Sequence, residues 1–213
     1  MNIGFFGGSF DPPHKGHINA ADVFCKEADL SVLYIIPTHV SPFKKNKTDV
    51  CSDKDRLKMC ELAFFGIAQN KTTIFISDIE TKRSGTSYTV DTIKELCTLH
   101  PDDTIFMYVG SDMFLALERW KDIETIFEKC VIYTRARYEG ELQNLKKCSD
   151  SYIEKYGARV IISNDKELVC SSTDVRTFLM NNDSFNVKKM LTDDVLGYII
   201  KNKLYLKENA NEE

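Results

Sequence analysis

One stretch limits what this chain can become: Gly7-Gly8-Ser9-Phe10-Asp11-Pro12-Pro13-His14-Lys15-Gly16-His17. A short apolar run over residues 3–6 precedes it, and an amphipathic segment over 18–25 follows. That order reads as strand, glycine-rich turn and helix start. Gly7 and Gly8 let backbone N–H groups approach a ligand, because no Cβ intervenes. The helix start adds orphan donors and a positive dipole end, which suit a phosphate. His14 and His17 then place two imidazoles beside the same anion. Both can donate hydrogen bonds to phosphate oxygens and carry charge near neutral pH. His17 is expected in the first helical turn and His14 just before it. The stretch matches neither a Walker A loop, which ends in Lys-Ser/Thr, nor the spacing of a dinucleotide fingerprint.

Beyond this junction, apolar runs at 32–36, 73–77, 104–109, 130–134 and 159–163 alternate with segments of helical spacing at 56–65, 90–99 and 142–156. Alternation of this kind predicts an α/β fold. The expected architecture is a Rossmann-like parallel sheet of about six strands, flanked by helices and joined by right-handed crossovers. A helix from Ser171 to about residue 180 and another from Thr192 to about 202 form a small C-terminal helical part, about 171–206, packed on that sheet. Residues 1–206 read as a single domain and 207–213 as a frayed tail.

Other strand-to-helix junctions carry phosphate-friendly chemistry. The loop 37–52 holds three lysines, of which Lys44 is singled out as a flexible cation for a phosphate; an exposed loop lysine is the alternative. Ser52 with Asp55 reads as a capping box. Arg56 falls in the first helical turn, where the dipole disfavours a cation, so it reads either as partnered by a carboxylate or a ligand phosphate or as a solvated arginine. Ser87, Tyr88 and Thr89 lead into a helix with Thr89 as N-cap. Tyr88 is either a packing contact or a ring platform. Gly110 permits close approach, and Asp112 suits the hydroxyl pair of a ribose. Trp120, the one tryptophan, reads as core or as a stacking surface. Cys170-Ser171-Ser172-Thr173-Asp174-Val175-Arg176 offers three hydroxyls, a helix start capped by Ser171 with Asp174, and a guanidinium that can grip phosphate oxygens.

The whole chain has 213 residues and a net charge of −4, so no basic field points to nucleic acid. Its seven cysteines are scattered without a Cys-x-x-Cys pair, which predicts neither a metal site nor a disulfide framework. Together with the direct start into a strand, this reads as a reducing, cytoplasmic protein. No apolar run is long enough for a bilayer.

The H-x-G-H stretch and the Ser171–Arg176 stretch resemble the signature of the nucleotidyltransferase superfamily. The stretches Arg83-Ser-Gly-Thr-Ser-Tyr-Thr-Val-Asp-Thr92 and Val109-Gly-Ser-Asp-Met-Phe-Leu-Ala-Leu-Glu-Arg-Trp120 make the chain similar to the bacterial-type nicotinate mononucleotide adenylyltransferases. The resemblance covers residues 2–206. It departs at Ser41-Pro42-Phe43-Lys44, where the family has Pro-Pro-His-Lys. It departs again at Gly110-Ser111-Asp112, for Gly-Ala-Asp, and at Arg135-Ala136-Arg137, for Arg-Pro-Gly, which leaves the role of Arg135 open. The resemblance implies that ATP and nicotinate mononucleotide are joined into nicotinic acid adenine dinucleotide with release of pyrophosphate. It implies that His14, His17 and Arg176 act in catalysis, the histidines at the α-phosphate. Gly7, Gly8, Ser9, Phe10, Lys44, Gly110, Asp112, Ser171, Ser172 and Thr173 would bind ATP and its phosphates. Tyr88, Thr89, Trp120 and Lys121 would hold the mononucleotide, Trp120 by stacking on the pyridine ring. Mg²⁺ would ride on the ATP phosphates with few protein ligands. Neither nucleic acid nor membrane is an expected partner, and a homo-oligomer stays open. Another nucleotidyltransferase such as a phosphopantetheine adenylyltransferase would share the first and last motifs alone; a non-catalytic nucleotide-binding module on the same fold is the other alternative, against which intact His14, His17 and Arg176 weigh.

Overall fold

The protein is described from a computed structural model covering residues 1–42, 51–65, 71–165 and 168–205. Lys44 and the tail 207–213 lie outside the described residues. The chain alternates from its start: β1 (Asn2–Gly8), α1 (Lys15–Glu27), β2 (Val32–Pro37), α2 (Asp53–Phe64), β3 (Thr73–Ile76), α3 (Thr89–Leu99) and β4 (Thr104–Tyr108). The second half holds α4 (Ser111–Phe114), a 3₁₀ turn (Leu117–Arg119), α5 (Ile123–Lys129), β5 (Cys130–Arg135), α6 (Glu139–Tyr156) and β6 (Arg159–Ser163). It closes with α7 (Ser172–Met180), α8 (Ser184–Met190) and α9 (Asp193–Lys201). Helices α5 and α8, of seven residues each, were not expected from the sequence. Each is barely two turns long, too short for helical periodicity to stand out.

All six strands run parallel in the order β3-β2-β1-β4-β5-β6. Parallel strands bury both faces, which explains the near-continuous apolar runs. The faces still alternate residue by residue. Ile3 and Phe5 of β1, Ile105 and Met107 of β4, and Cys130 and Ile132 of β5 pack against α3, α5 and α6. Phe6, Phe106, Tyr108, Val131 and Tyr133 face the other way, onto α1 and α2. Val175, Leu179, Val187, Val195 and Ile199 of the last three helices join that second core. The C-terminal helices thus bury their apolar stripes in the core shared with α1 and α2, with α9 packed on α2.

Strand order reverses between β1 and β4. Ligands of open parallel sheets bind beyond the carboxyl ends of the strands at such a point. The Gly7–His17 turn leaves β1 there, and Gly110 and Asp112 leave β4 beside it.

Candidate active site

His14 and His17 hold each other through the backbone. His14 is the N-cap of α1, with extended backbone, and its Nδ1 accepts the N–H of His17 at 3.3 Å. His17, at the third helical position, returns the bond: its Nδ1 accepts the N–H of His14 at 3.2 Å. The geometry is that of a capping box, built from two imidazoles instead of Ser and Glu. The rings stack with centroids 3.7 Å apart and 21° between planes. Gly16 makes this possible, since a Cβ there would meet the Leu168 carbonyl oxygen at 2.9 Å and His14 Nδ1 at 3.0 Å.

The exchange fixes the chemistry of both rings. A backbone N–H needs a lone pair, so each Nδ1 is unprotonated and the ring hydrogen sits on Nε2. A protonated Nδ1 would set N–H against N–H. Burial adds to this at His14, whose pKa falls from 6.5 to about 4, with its backbone hydrogen bond pulling weakly upward. The expectation that His14 carries charge near neutral pH is therefore corrected: it is a neutral hydrogen-bond donor.

The turn before His14 is tied down from three directions. Arg56, 1 % exposed, donates from Nη1 to the Ser9 carbonyl at 2.7 Å and pairs with Asp53, which also contacts His39. Arg56 is thus partnered by a carboxylate rather than solvated. The buried Asp11 carboxylate accepts the Tyr205 hydroxyl at 2.6 Å and the Cys51 N–H at 3.2 Å. Arg176 donates to the Asp11 carbonyl at 2.5 Å, and Ser172 Oγ donates to the Pro12 carbonyl at 2.9 Å. Phe10 sits at φ 46, a left-handed conformation that costs a bulky residue energy. Its buried ring packs on Phe6, His17 and Phe64, which holds it there.

A cavity of about 470 Å³ opens beside the two rings. Ser9, Phe10, His14 and His17 line one side; Gly110 and Asp112 line a second; Ser171, Ser172, Thr173 and Arg176 line a third. A neighbouring cavity of about 420 Å³ is walled by Gly7, Gly8, Ser9, Thr89, Asp112 and Trp120. The two share Ser9, Tyr108, Asp112 and Met113. A third hollow of about 250 Å³ adjoins the second at Thr89 and Trp120 and adds Tyr88 and Lys121. The Lys121 ammonium lies 4.2 Å over the Tyr88 ring, a cation–π contact. The structure thus brings together the candidate residues it describes, across three adjoining hollows.

Some local expectations change. The N-cap of α3 is Tyr88, not Thr89, and it makes no side-chain cap bond; Thr89 is already helical. Helix α4 begins at Ser111 with Gly110 as its cap, so Asp112 stands in the first turn. Ser171 caps α7, but its hydroxyl takes the N–H of Thr173 at 3.1 Å rather than that of Asp174. Arg135 is fully buried and bonds Asn19 Oδ1 at 3.1 Å, so it braces β5 against α1 and does not line either cavity.

Among the wall residues, Tyr108, Thr38 and Glu80 carry no sequence signal of their own, and Arg137 stands out only as half of a basic pair with Arg135, a solvated loop or a site for a small anion. Tyr108 and Arg137 line the first cavity, and Thr38 and Glu80 the second. The Glu80 carboxyl is 3 % exposed, and burial raises its pKa against the opposing pull of the Thr92 hydroxyl, which donates to Oε1 at 2.8 Å. A lone glutamate in a polar loop carries no periodic signal. The position of Tyr108 at the carboxyl end of β4 was the one available clue.

Folded His14 takes a proton only near pH 4, whereas an unfolded histidine does so near 6.5. The unfolded chain therefore binds more protons in that interval, and stability must fall as pH drops through it. The full loss is roughly 3 kcal/mol. Denaturant unfolding at pH 7, 5.5 and 4.5 checks this. His14→Asn keeps a capping acceptor without a titrating ring and is expected to flatten the slope above pH 5; an unchanged slope contradicts the assignment.

Residues 5–178 match the cytidylyltransferase-like family. A probable nicotinate-nucleotide adenylyltransferase of Leptospira interrogans is 32 % identical over 96 % of this chain and 96 % of its own length. Another from Oceanobacillus iheyensis is 32 % identical over 95 % and 96 %. Among solved structures, the Plasmodium falciparum nicotinic acid mononucleotide adenylyltransferase complexed with APC superposes with a TM-score of 0.72 at 25 % identity, covering 96 % of both chains. The same enzyme complexed with NaAD gives 0.75 at 24 % identity, covering 96 % and 97 %, which speaks for the fold. A switch-point cavity walled by paired imidazoles, in a chain matched end to end by these relatives, places the protein: it belongs to the nicotinate-nucleotide adenylyltransferase family of cytidylyltransferase-like nucleotidyltransferases.

Proposed function

We propose that this protein is a nicotinate-nucleotide adenylyltransferase, transferring the adenylyl group of ATP to nicotinate mononucleotide in NAD biosynthesis. The observation that carries this is the pair of cavities meeting at Ser9, Tyr108, Asp112 and Met113. One offers imidazole, hydroxyl and guanidinium donors, as a polyphosphate requires. The other offers Trp120, a flat apolar ring that suits a pyridine. A mononucleotide phosphate in the second compartment would face an ATP α-phosphorus in the first.

A 5′-phosphate monoester is ionised near pH 7, so its oxygen attacks without a general base. The P–O bond to the leaving pyrophosphate breaks as the new P–O bond forms, in line. The protein supplies positioning and charge stabilisation. In this reading the Nε2–H groups of His14 and His17 donate to oxygens of the α-phosphate as charge builds there. Ser171, Ser172, Thr173 and Arg176 hold the departing pyrophosphate. Arg176 keeps N–H groups for this after bonding Asp11 and Thr173, because a guanidinium has five. Gly7, Gly8, Ser9 and Phe10 bring the backbone close to the phosphates, and Gly110 and Asp112 serve the ribose. Tyr88, Thr89, Trp120 and Lys121 frame the pyridine nucleotide, and Lys44 serves a phosphate.

Among the described residues, no three His, Cys, Asp or Glu side chains gather as ligands for a metal ion. The cavity's imidazole, hydroxyl and guanidinium donors suit a polyphosphate, so Mg²⁺ would be carried on the ATP phosphates with few protein ligands. Bound there, the ion would neutralise phosphate charge. All seven cysteines are free thiols, which supports a reducing, cytoplasmic setting. No helix among the described residues is long and apolar enough to cross a membrane.

Pyrophosphate release from ATP with nicotinate mononucleotide, nicotinamide mononucleotide or phosphopantetheine tests the proposal. Release with nicotinate mononucleotide is expected. Silence with both mononucleotides, or release with phosphopantetheine alone, would sink it. His17→Ala is expected to lower kcat by a factor on the order of 10³, and to lower the melting temperature by only about 2–4 °C, the cost of one lost cap. Trp120→Ala is expected to raise the mononucleotide KM about fivefold while the ATP KM holds, since stacking is worth about 1 kcal/mol. A Trp120→Ala protein that fails to fold would make that residue core.

A further inference from the structure

Arg137 stands where the family resemblance led to glycine, and it lines the ATP-side cavity. Its Nη2 donates to Asp112 Oδ1 at 3.0 Å. The root of the side chain is fixed, because the Arg137 N–H donates to Oε2 of the buried Glu141 at 2.7 Å. Gly110 leaves room for the pair: a Cβ there would meet Asp112 Oδ1 at 3.1 Å and Arg137 Nη2 at 3.7 Å. Both side chains are about half exposed, at 42 % and 54 %. An ion pair so exposed contributes little to stability. Its place on a cavity wall gives it another use.

We propose that Arg137 is a positioning residue for ATP, acting through Asp112; this rests on the adenylyltransferase reading above. A carboxylate is the acceptor a ribose diol needs, yet beside a polyanion its charge is repulsive. Arg137 neutralises that charge and holds Oδ1, so the second carboxylate oxygen can accept from a ribose hydroxyl. The guanidinium thereby lets one wall serve a sugar while the opposite wall serves phosphates. A shorter or uncharged side chain at position 137 would leave Asp112 to swing and to repel.

The test is a double-mutant cycle on the full-length protein, reading KM for ATP, KM for the mononucleotide, and ATP Kd by titration calorimetry. Arg137→Ala is expected to raise ATP KM and Kd about tenfold and to leave melting temperature and mononucleotide KM unchanged. In an Asp112→Asn background, where the repulsive charge is gone, the same change is expected to cost less than about twofold. Arg137→Lys should recover part of the loss. An unchanged ATP affinity, or an equal loss in both backgrounds, overturns the proposal. If the wild-type protein releases no pyrophosphate with either mononucleotide, the functional reading fails, and the calorimetric cycle still decides whether the pair positions ATP.

Discussion

The site depends on two backbone hydrogen bonds that His14 and His17 exchange through their Nδ1 atoms. Each bond caps the helix that carries the other residue, so the start of α1 and the orientation of both rings are one structure. The rings cannot turn without uncapping the helix, and the helix cannot fray without releasing the rings. Stacking at 3.7 Å and burial of His14 keep both imidazoles in the plane this exchange sets. Neutral donors result, with the hydrogen on the nitrogen opposite the backbone. Such groups stabilise charge that develops in a transition state without carrying full charge in the resting protein.

Everything around that exchange keeps the preceding turn still. The turn leaves β1 at the switch point of the sheet, and residues 10–14 of it are buried. Polar contacts come from distant parts of the chain. Arg56 of α2 grips the Ser9 carbonyl, Tyr205 and Cys51 reach the Asp11 carboxylate, and α7 supplies Arg176 and Ser172 to the carbonyls of Asp11 and Pro12. Burial and the Asp11 charge keep the Tyr205 phenol protonated, as a donor to that carboxylate must be. The C-terminal helices therefore do more than close a core face. They hold the loop that presents the histidines, and Arg176 belongs to that scaffold as well as to the cavity.

Much of the fold was legible because parallel strands write continuous apolar runs and caps write Ser, Thr and Asp at fixed offsets. The Gly7–His17 stretch exposed the site for a related reason: glycines, a helix start and two histidines are chemically meaningful only in combination. What stayed hidden has physical causes. The mutual capping of His14 and His17 follows from ring orientation, which spacing alone does not determine, so the charge state of His14 was misjudged. Arg56 and Arg135 looked alike in sequence, yet one braces the phosphate turn and the other ties β5 to α1. Glu80 and Arg137 entered the cavity walls through loop paths that no periodicity encodes. Short helices such as α5 and α8 fell below the length at which a helical stripe can be recognised.

Nitrogen NMR reads the ring state of the two histidines directly. In uniformly ¹⁵N-labelled protein at neutral pH, long-range ¹⁵N–¹H correlations distinguish the two imidazole nitrogens by their shifts and couplings. Both His14 and His17 are predicted to show hydrogen on Nε2 and a bare Nδ1. Hydrogen on Nδ1 of either ring, or a doubly protonated His14 at pH 7, would contradict the reciprocal cap and the role built on it.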